Sequence, residues 1–318
     1  MKKITTLMLS LLLLSAGAQA NSRKAAHLGQ RKAVALEKPV ALPADNITSK
    51  GFRSNWQPVE GAEGYAVYVY TRQVAEAAGD YVLVDEDFNG ITQGSFLEPL
   101  GGDEDLVNLD DYGYGDTPGW SAYAFPNFVP SMVAGKVYSP EIDLSHNDGK
   151  YQLVITVYAN HGDEILVESH GEGEMVRKVF TVSLPGGGDG IYTETLDFDN
   201  GCQHLFFSII NQTAEVGQAD YLDRVQVVQT LKKGDVVYTL AAVDDAIPAF
   251  YGEDDDIPVT CKTFTNVKYF APDDDVFYYE VYASAYNFGY DANGHFTYEY
   301  VGSPYSDMIK VDLEKQTS

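Results

Sequence analysis

Apolar and polar residues alternate in short runs along most of this chain after residue 40. Residues 51–56 and 64–70 alternate in this way near the start, and residues 277–283 do so near the end. A period of two places successive side chains on opposite faces of an extended strand, and turn residues such as Pro58 and Gly61 separate the runs. The pattern therefore predicts an all-β protein.

The middle of the chain carries eight further candidate strands and no convincing amphipathic helix. Turn residues punctuate the segment, as at Asn147-Asp148-Gly149 and Asn200-Gly201. Residues 81–231 are far too many for an ordinary connection, so we expect them to fold on their own as a jelly-roll sandwich. The candidate strands are residues 81–84, 136–138, 151–159, 164–169, 176–183, 191–198, 204–211 and 222–229.

The two outer groups of strands resemble one known family of sandwiches. Residues 42–68 resemble the first three strands of a fibronectin type III domain, residues 270–283 resemble its later corner and penultimate strand, and residues 303–306 lead into a candidate last strand. Phe277 occupies the place of the corner tyrosine, so the hydroxyl bond expected there is missing unless Tyr278 replaces it through a one-residue bulge. The resemblance implies an immunoglobulin-like sandwich assembled from both ends of the chain.

Four short motifs in the middle segment resemble the cleaved-adhesin-like, or choice-of-anchor, group of jelly rolls. They are Asp-Glu-Asp-Phe at 85–88, Pro-Gly-Trp at 118–120, and the strand-like stretches 137–144 and 221–227. Together the two resemblances predict a jelly-roll domain inserted into a fibronectin type III-like domain.

The predicted boundaries place the inserted jelly roll at 80–231 and the discontinuous host domain at 41–76 and 233–314. The alternative is a jelly roll followed by an unrelated C-terminal sandwich. That arrangement explains the two ends less well, because the first segment alone is too short to bury a useful core.

The first 20 residues have the features of a cleavable signal peptide. Lys2 and Lys3 precede an apolar run, and Ala18-Gln19-Ala20 ends in the small-x-small pattern before Asn21. The run is too short for a permanent membrane span, no later segment approaches that length, and no cysteine for lipid attachment follows the cut. We expect an exported protein, periplasmic, surface-bound or secreted, with a flexible leader at 21–40.

The predicted mature chain is strongly acidic. Removal of Lys2 and Lys3 leaves 19 Lys and Arg against 47 Asp and Glu. Phosphate backbones are repelled by such a chain, so nucleic acid is excluded as a partner, whereas cations and neutral glycans are compatible with it. Cys202 and Cys261 are too few for a disulfide scaffold, and their spacing does not show whether the two sulfurs meet.

No recognisable catalytic motif stands in the sequence. The chain has no H-E-x-x-H, no G-x-S-x-G and no phosphate-binding glycine loop, and residues 167–171 are better explained as a strand end than as a serine elbow. A glycosidase-like pair of carboxylates would leave no sequence pattern, so a hydrolase stays open as an alternative. The sequence favours a protein that is not an enzyme.

The resemblance to calcium-holding jelly rolls suggests one metal site. It implies Ca²⁺ between the first and last strands of the insert, held by Glu86 or Asp87 at the front and by Asp220 or Asp223 near the end. Hard cations take carboxylate oxygens. The alternative is a set of solvated turn carboxylates.

Aromatic residues in one loop suggest a ligand platform. Tyr112, Tyr114, Trp120 and Tyr123 stand among Gly, Asp and Pro residues, where regular strand pairing is not expected. Flat rings with a polar tip suit both sugar stacking and protein interfaces, although Trp120 is more often a core residue in the resembled family. We therefore predict a non-catalytic binding or adhesion protein that recognises a glycan or a surface protein. The alternatives are a structural spacer of a surface assembly and the hydrolase named above.

Overall fold

A computed structural model of the chain describes residues 35–90, 106–108, 117–122, 132, 135–213, 220–251, 257–290 and 296–314. These residues form strands, turns and a single turn of 3-10 helix at Asn147–Gly149. No α-helix occurs among them, and hence none with the length and apolar character needed to cross a membrane. The prediction of an all-β fold is confirmed.

The chain divides into two compact units. The first joins the described residues up to Thr71 with those from Ala241 onward, and the second comprises Arg72–Leu240. The chain leaves the first unit within one strand, Gly64–Val74, and returns to it within another, Val236–Pro248. Independent folding of residues 80–231 stays a prediction.

The first unit contains two antiparallel sheets and a small hairpin. One sheet has the order β1-β2-β17, and the other has the order β14-β3-β18-β19, with β20 beside the first part of β18. Strands β15 and β16 form the hairpin. The strands are β1 (Ala41–Asp45), β2 (Phe52–Trp56), β3 (Gly64–Val74), β14 (Val236–Pro248), β15 (Phe250–Tyr251), β16 (Ile257–Pro258), β17 (Cys261–Phe264), β18 (Val276–Tyr290), β19 (Phe296–Gly302) and β20 (Ile309–Asp312).

Alternating residues from both sheets of the first unit meet in one apolar core. Trp56 of β2 packs against Tyr65 of β3, and Phe52 packs against Tyr279 of β18. The hydroxyl of Tyr279 lies within hydrogen-bonding reach of the carbonyls of Leu42 and Asn55. It thereby ties β18 to the backbone of β1 and β2.

The hydroxyl bond was expected to be missing at Phe277 unless Tyr278 replaced it through a bulge, and in the structure the hydroxyl of this strand that reaches backbone carbonyls belongs to Tyr279. The reason is strand parity, because Phe277, Tyr279 and Val281 all face the core and are fully buried. Tyr278 lies on the opposite face of β18 and is half-buried.

The second unit is a sandwich of two antiparallel sheets. The six-stranded sheet has the order β10-β9-β12-β7-β6-β5, and the four-stranded sheet has the order β11-β8-β13-β4. The strands are β4 (Gly79–Glu86), β5 (Val107–Asn108), β6 (Ser121–Ala122), β7 (Val137–Tyr138), β8 (Tyr151–Asn160), β9 (Glu164–His170), β10 (Val176–Thr181), β11 (Asp189–Phe198), β12 (Phe206–Asn211) and β13 (Tyr221–Leu231). Each of the eight candidate strands of the middle segment overlaps one of them.

A single core fills the space between these two sheets. Leu153 and Ile155 of β8 meet Val167 of β9 and Phe207 and Ile209 of β12, and all five are fully buried. First and last strands of the unit pair, with Glu86 of β4 opposite Val225 of β13. This pairing fixes where the acidic residues near both strands lie.

Candidate functional site

Polar side chains form a row across the outer face of the six-stranded sheet. On β9, Ile165 and Val167 point into the core, so Glu168 points to the other face. Arg177 of β10 and Ser208 of β12 stand directly opposite Glu168, and Tyr138 of β7 stands opposite Ser208. Directly opposed residues of antiparallel strands share a face, so the register lines up these four residues.

Glu168 is the centre of this row. Its side chain is only 2% exposed, yet its carboxylate accepts a hydrogen bond from Arg177 Nε at 2.8 Å and another from Ser208 Oγ at 3.2 Å. Lys136 Nζ contacts the second carboxylate oxygen. Burial raises the pKa of Glu168, but Lys136 and Arg177 outweigh burial and lower the pKa overall. Glu168 is therefore an ionised, doubly paired carboxylate that holds two cations in place.

His170 adds a neutral ring to the same face. Its imidazole stacks on the ring of Phe206, with centroids 4.5 Å apart and planes inclined by 4°. Its Nε2 lies 3.4 Å from Ser208 Oγ. Burial lowers the pKa of His170 to about 4, although Glu168 acts in the opposite direction. At neutral pH the ring is uncharged, with one nitrogen that donates and one that accepts.

We call Lys136, Glu168, His170, Arg177, Phe206 and Ser208 the outer-face cluster. Its most accessible member is Arg177, whose side chain is 61% exposed, while Lys136 and His170 are partly exposed. Val179 lies two residues along β10 from Arg177 and is half exposed. The face thus combines a fixed guanidinium, a neutral imidazole and an apolar margin, which suits hydrogen bonding to a polar, uncharged ligand.

The predicted aromatic platform lies largely outside the described residues. Tyr112, Tyr114 and Tyr123 belong to that part of the chain, and their role as ligand contacts stays a prediction. Trp120 is described, and it is 0% exposed, with its ring edge-on to Phe88 at 5.1 Å and to Phe207 at 5.8 Å. Its indole is a core side chain and presents no ring to a ligand.

Glu86 and Asp87 of the predicted calcium site both bind nearby backbone. The Glu86 carboxylate is fully buried and accepts the N–H groups of Phe88 at 2.8 Å and Thr117 at 3.2 Å. Asp87 is half-buried and accepts the N–H of Asn89 at 3.0 Å. The two residues thus help to shape the chain that follows β4.

Of the other two predicted ligands, Asp220 lies apart from Glu86 along the strand. Since Glu86 pairs with Val225, Asp220 is displaced by five residues, about 17 Å along the strand at about 3.4 Å per residue. Asp223 occupies a bulge between Leu222 and Arg224. The first and last strands therefore pair as the calcium hypothesis required, but their register does not bring Glu86 to Asp220.

Sequence reasoning missed the outer-face cluster. It also missed Asp163, whose carboxylate lies beside that of Asp220 at the Asn160 side chain. The signal for the cluster was Leu166, Glu168 and His170 at alternate positions of one strand. That alternation does not reveal which face is the core. Asp163 follows a turn, and nothing in its local sequence distinguishes it from a solvated carboxylate.

Comparisons with known proteins give little guidance. No protein-family model matches the chain, and no curated protein matches it. A similar solved structure is a carbohydrate-binding module from the Cellvibrio mixtus lichenase 5A in complex with cellotriose. The two chains are 14% identical, the match covers 48% of this chain and 100% of the module, and the TM-score is 0.22. At that level the likeness indicates no shared function.

Proposed function

We propose that this chain is an exported, non-catalytic binding protein that recognises a neutral carbohydrate through the outer-face cluster. The observation that carries the proposal is the row of Arg177, Glu168 and Ser208, flanked by the stacked rings of His170 and Phe206. Because Glu168 fixes the guanidinium before any ligand arrives, little side-chain freedom remains to be lost on binding.

The chemistry of the cluster favours sugar hydroxyls as ligands. Each hydroxyl donates and accepts, and the neutral imidazole of His170 does the same. Arg177 offers a planar fork of donors, and Val179, two residues along β10 on the same face, offers apolar surface beside it. The net charge of −26 disfavours anionic glycans, so we expect a neutral one.

The state of Glu168 favours binding over hydrolysis. A glycosidase needs a carboxylic acid whose pKa is raised so that it can protonate the leaving group. The pKa of Glu168 is lowered, and both of its oxygens are engaged by cations. This carboxylate is thus suited to holding Arg177 and unsuited to general acid catalysis.

The proposal includes the architecture expected from the sequence. We assign the first unit to a fibronectin type III-like sandwich and the second to an inserted jelly roll of the cleaved-adhesin type. The strand orders β1-β2-β17 and β14-β3-β18 support the first assignment, and the shared core of two sheets supports the second. The pattern of residues 1–20 supports export.

A glycan array tests the proposal. The probes are neutral and acidic oligosaccharides and a panel of surface proteins, applied to the mature chain, to Arg177→Ala and to Arg224→Ala. Arg224 is the matched control, because it is also a partly exposed arginine paired to a carboxylate, Asp85, but lies on the other sheet.

We expect binding to a class of neutral glycans that weakens by about tenfold or more in Arg177→Ala, as for loss of a charged hydrogen bond. Arg224→Ala should bind as the parent chain does. Binding to proteins alone, or equal binding by both variants, would overturn the proposal.

A further inference from the structure

Two buried carboxylates meet at one end of the second unit, away from the outer-face cluster. Asp163 follows the turn between β8 and β9, and Asp220 immediately precedes β13. Asn160, at the end of β8, and Asn211, at the end of β12, lie beside them. Four strand ends thus converge on two carboxylates.

Asp163 is held by hydrogen-bond donors from its surroundings. Its Oδ2 accepts from Asn160 N–H at 2.9 Å and from Asn211 Nδ2 at 3.0 Å, and its Oδ1 lies 3.4 Å from Thr213 Oγ1. The side chain is 8% exposed. Its position is therefore fixed by the β8–β9 turn and by the end of β12.

Asp220 has one oxygen that its described surroundings leave unsatisfied. The residue is 0% exposed, and its Oδ1 accepts from Asn160 Nδ2 at 3.2 Å. Its Oδ2 is buried and has no hydrogen-bond partner among the described residues. Burial, and then the neighbouring charge of Asp163, raise the pKa of Asp220 to about 6. The Asn160 Nδ2 atom lies 3.4 Å from Asp163 Oδ2 and 3.2 Å from Asp220 Oδ1, so the two carboxyl groups flank one amide and are close to each other.

Such a pair needs a positive partner. Two carboxylates repel each other unless they share a proton or a cation lies between them, and burial makes this repulsion costly. The groups that act on Asp220 are Asp163, Asn160 and Asn211, and none of them is cationic. A buried acceptor without a partner in an otherwise satisfied cluster indicates a missing ligand.

We propose that Asp163 and Asp220 form a divalent-cation site that takes Ca²⁺. Both carboxylates supply oxygen ligands, and a half-turn of the Asn160 amide would add a third side chain with an oxygen ligand. Oxygen-only ligands select a hard cation, and water fills the remaining positions that Ca²⁺ requires. In the described part of the chain, no three His, Cys, Asp or Glu residues converge on a metal, so this site depends on two carboxylates and an amide.

This site shares Asp220 with the one predicted from the sequence, but it uses Asp163 and Asn160 in place of Glu86 or Asp87. It would join the β8–β9 turn to the first residue before β13, which stands beside β8 through the pairing of Tyr221 with Tyr158. A bound ion would therefore stabilise the order of the four-stranded sheet at this end. It would leave the outer-face cluster unchanged. A test can therefore refute calcium binding without refuting glycan binding, and the reverse.

Calcium titration of the mature chain tests the site. After treatment with a chelator and its removal, CaCl₂ or MgCl₂ is added at pH 7.5, and binding is followed by isothermal titration and thermal unfolding. The variants are Asp220→Asn and Asp163→Asn, which keep the side-chain shape. Asp223→Asn, three residues along the same segment, is the matched control.

We expect Ca²⁺ to bind and raise the melting temperature of the parent chain and of Asp223→Asn. Each of the other two variants should bind at least about tenfold more weakly, since even outer-shell changes cost that much at metal sites. Either variant suffices if the other fails to fold.

Two results would overturn the proposal. A calcium response that persists in both variants would place the ion elsewhere. No response of the parent chain to millimolar calcium would mean that the pair holds no ion.

Discussion

Replacement of Asp220 by Asn should remove a pH-dependent loss of stability. The pKa of Asp220 rises from the ordinary 3.8 to about 6 in the folded chain, because burial and Asp163 disfavour its charged form. The folded state therefore keeps a proton at pH values where the unfolded state has released it. The stabilisation of the folded state by protonated Asp220 is fully present below pH 3.8 and is lost as pH rises through 6.

The magnitude follows from the shift. Two pKa units at about 1.4 kcal/mol each correspond to about 3 kcal/mol, of which about 2 to 3 kcal/mol falls between pH 4 and pH 7. Asn cannot ionise, so the free energy of unfolding of Asp220→Asn should lack this decline. His170 titrates in both proteins, and its contribution cancels in the difference between them.

Urea unfolding of the parent chain and Asp220→Asn, with chelator present from pH 4 to pH 8, measures that difference. Asp223→Asn serves as the control and should follow the parent chain. If the profiles of the parent chain and Asp220→Asn run parallel across this range, Asp163 and Asp220 do not form a strained pair, and the reasoning is refuted.

Three further predictions concern the units and the outer-face cluster. Residues 80–232 expressed alone should show a cooperative thermal transition, and an unfolded fragment would contradict an inserted domain. Tyr279→Phe removes a buried hydroxyl from the carbonyls of Leu42 and Asn55 and should lower the free energy of unfolding in urea by about 1 to 3 kcal/mol. Tyr158→Phe, which removes an exposed hydroxyl, is the control. Equally small effects of both changes would mean that the Tyr279 hydroxyl does not stabilise the contact of β18 with β1 and β2. Because the pKa of His170 is about 4, glycan affinity should be constant from pH 5.5 to pH 8, and a change near pH 6.5 would show that the ring titrates normally.

Much of the fold could be read from alternation, because a strand with one buried face repeats every two residues. Tyr151–Asn160 follows that rule, whereas Glu164–His170 is buried on both faces at its five central residues, so its buried face could not be read from alternation. Parity also places Phe277 and Tyr279 on the same buried face of β18, and of these two residues only Tyr279 carries a hydroxyl. Local pattern predicted the strand without identifying which tyrosine would reach β1.

The sites were harder to predict because they depend on register between distant strands. Lys136 stands 32 residues from Glu168 in sequence, and the contact between them needs the order β9-β12-β7. Pairing of the first and last strands of the insert was expected, yet a displacement of five residues separates Glu86 from Asp220. Only the pairing of β8 with β13 brings Asp220 beside Asp163.

The central claim is that Arg177, fixed by Glu168, contacts a neutral glycan. Its most direct test is isothermal titration of one array-selected neutral oligosaccharide into the parent chain, Arg177→Ala and Arg224→Ala. We predict that Arg177→Ala weakens the affinity by about tenfold or more, while Arg224→Ala stays within about twofold of the parent chain. Equal affinities for all three proteins would contradict the account.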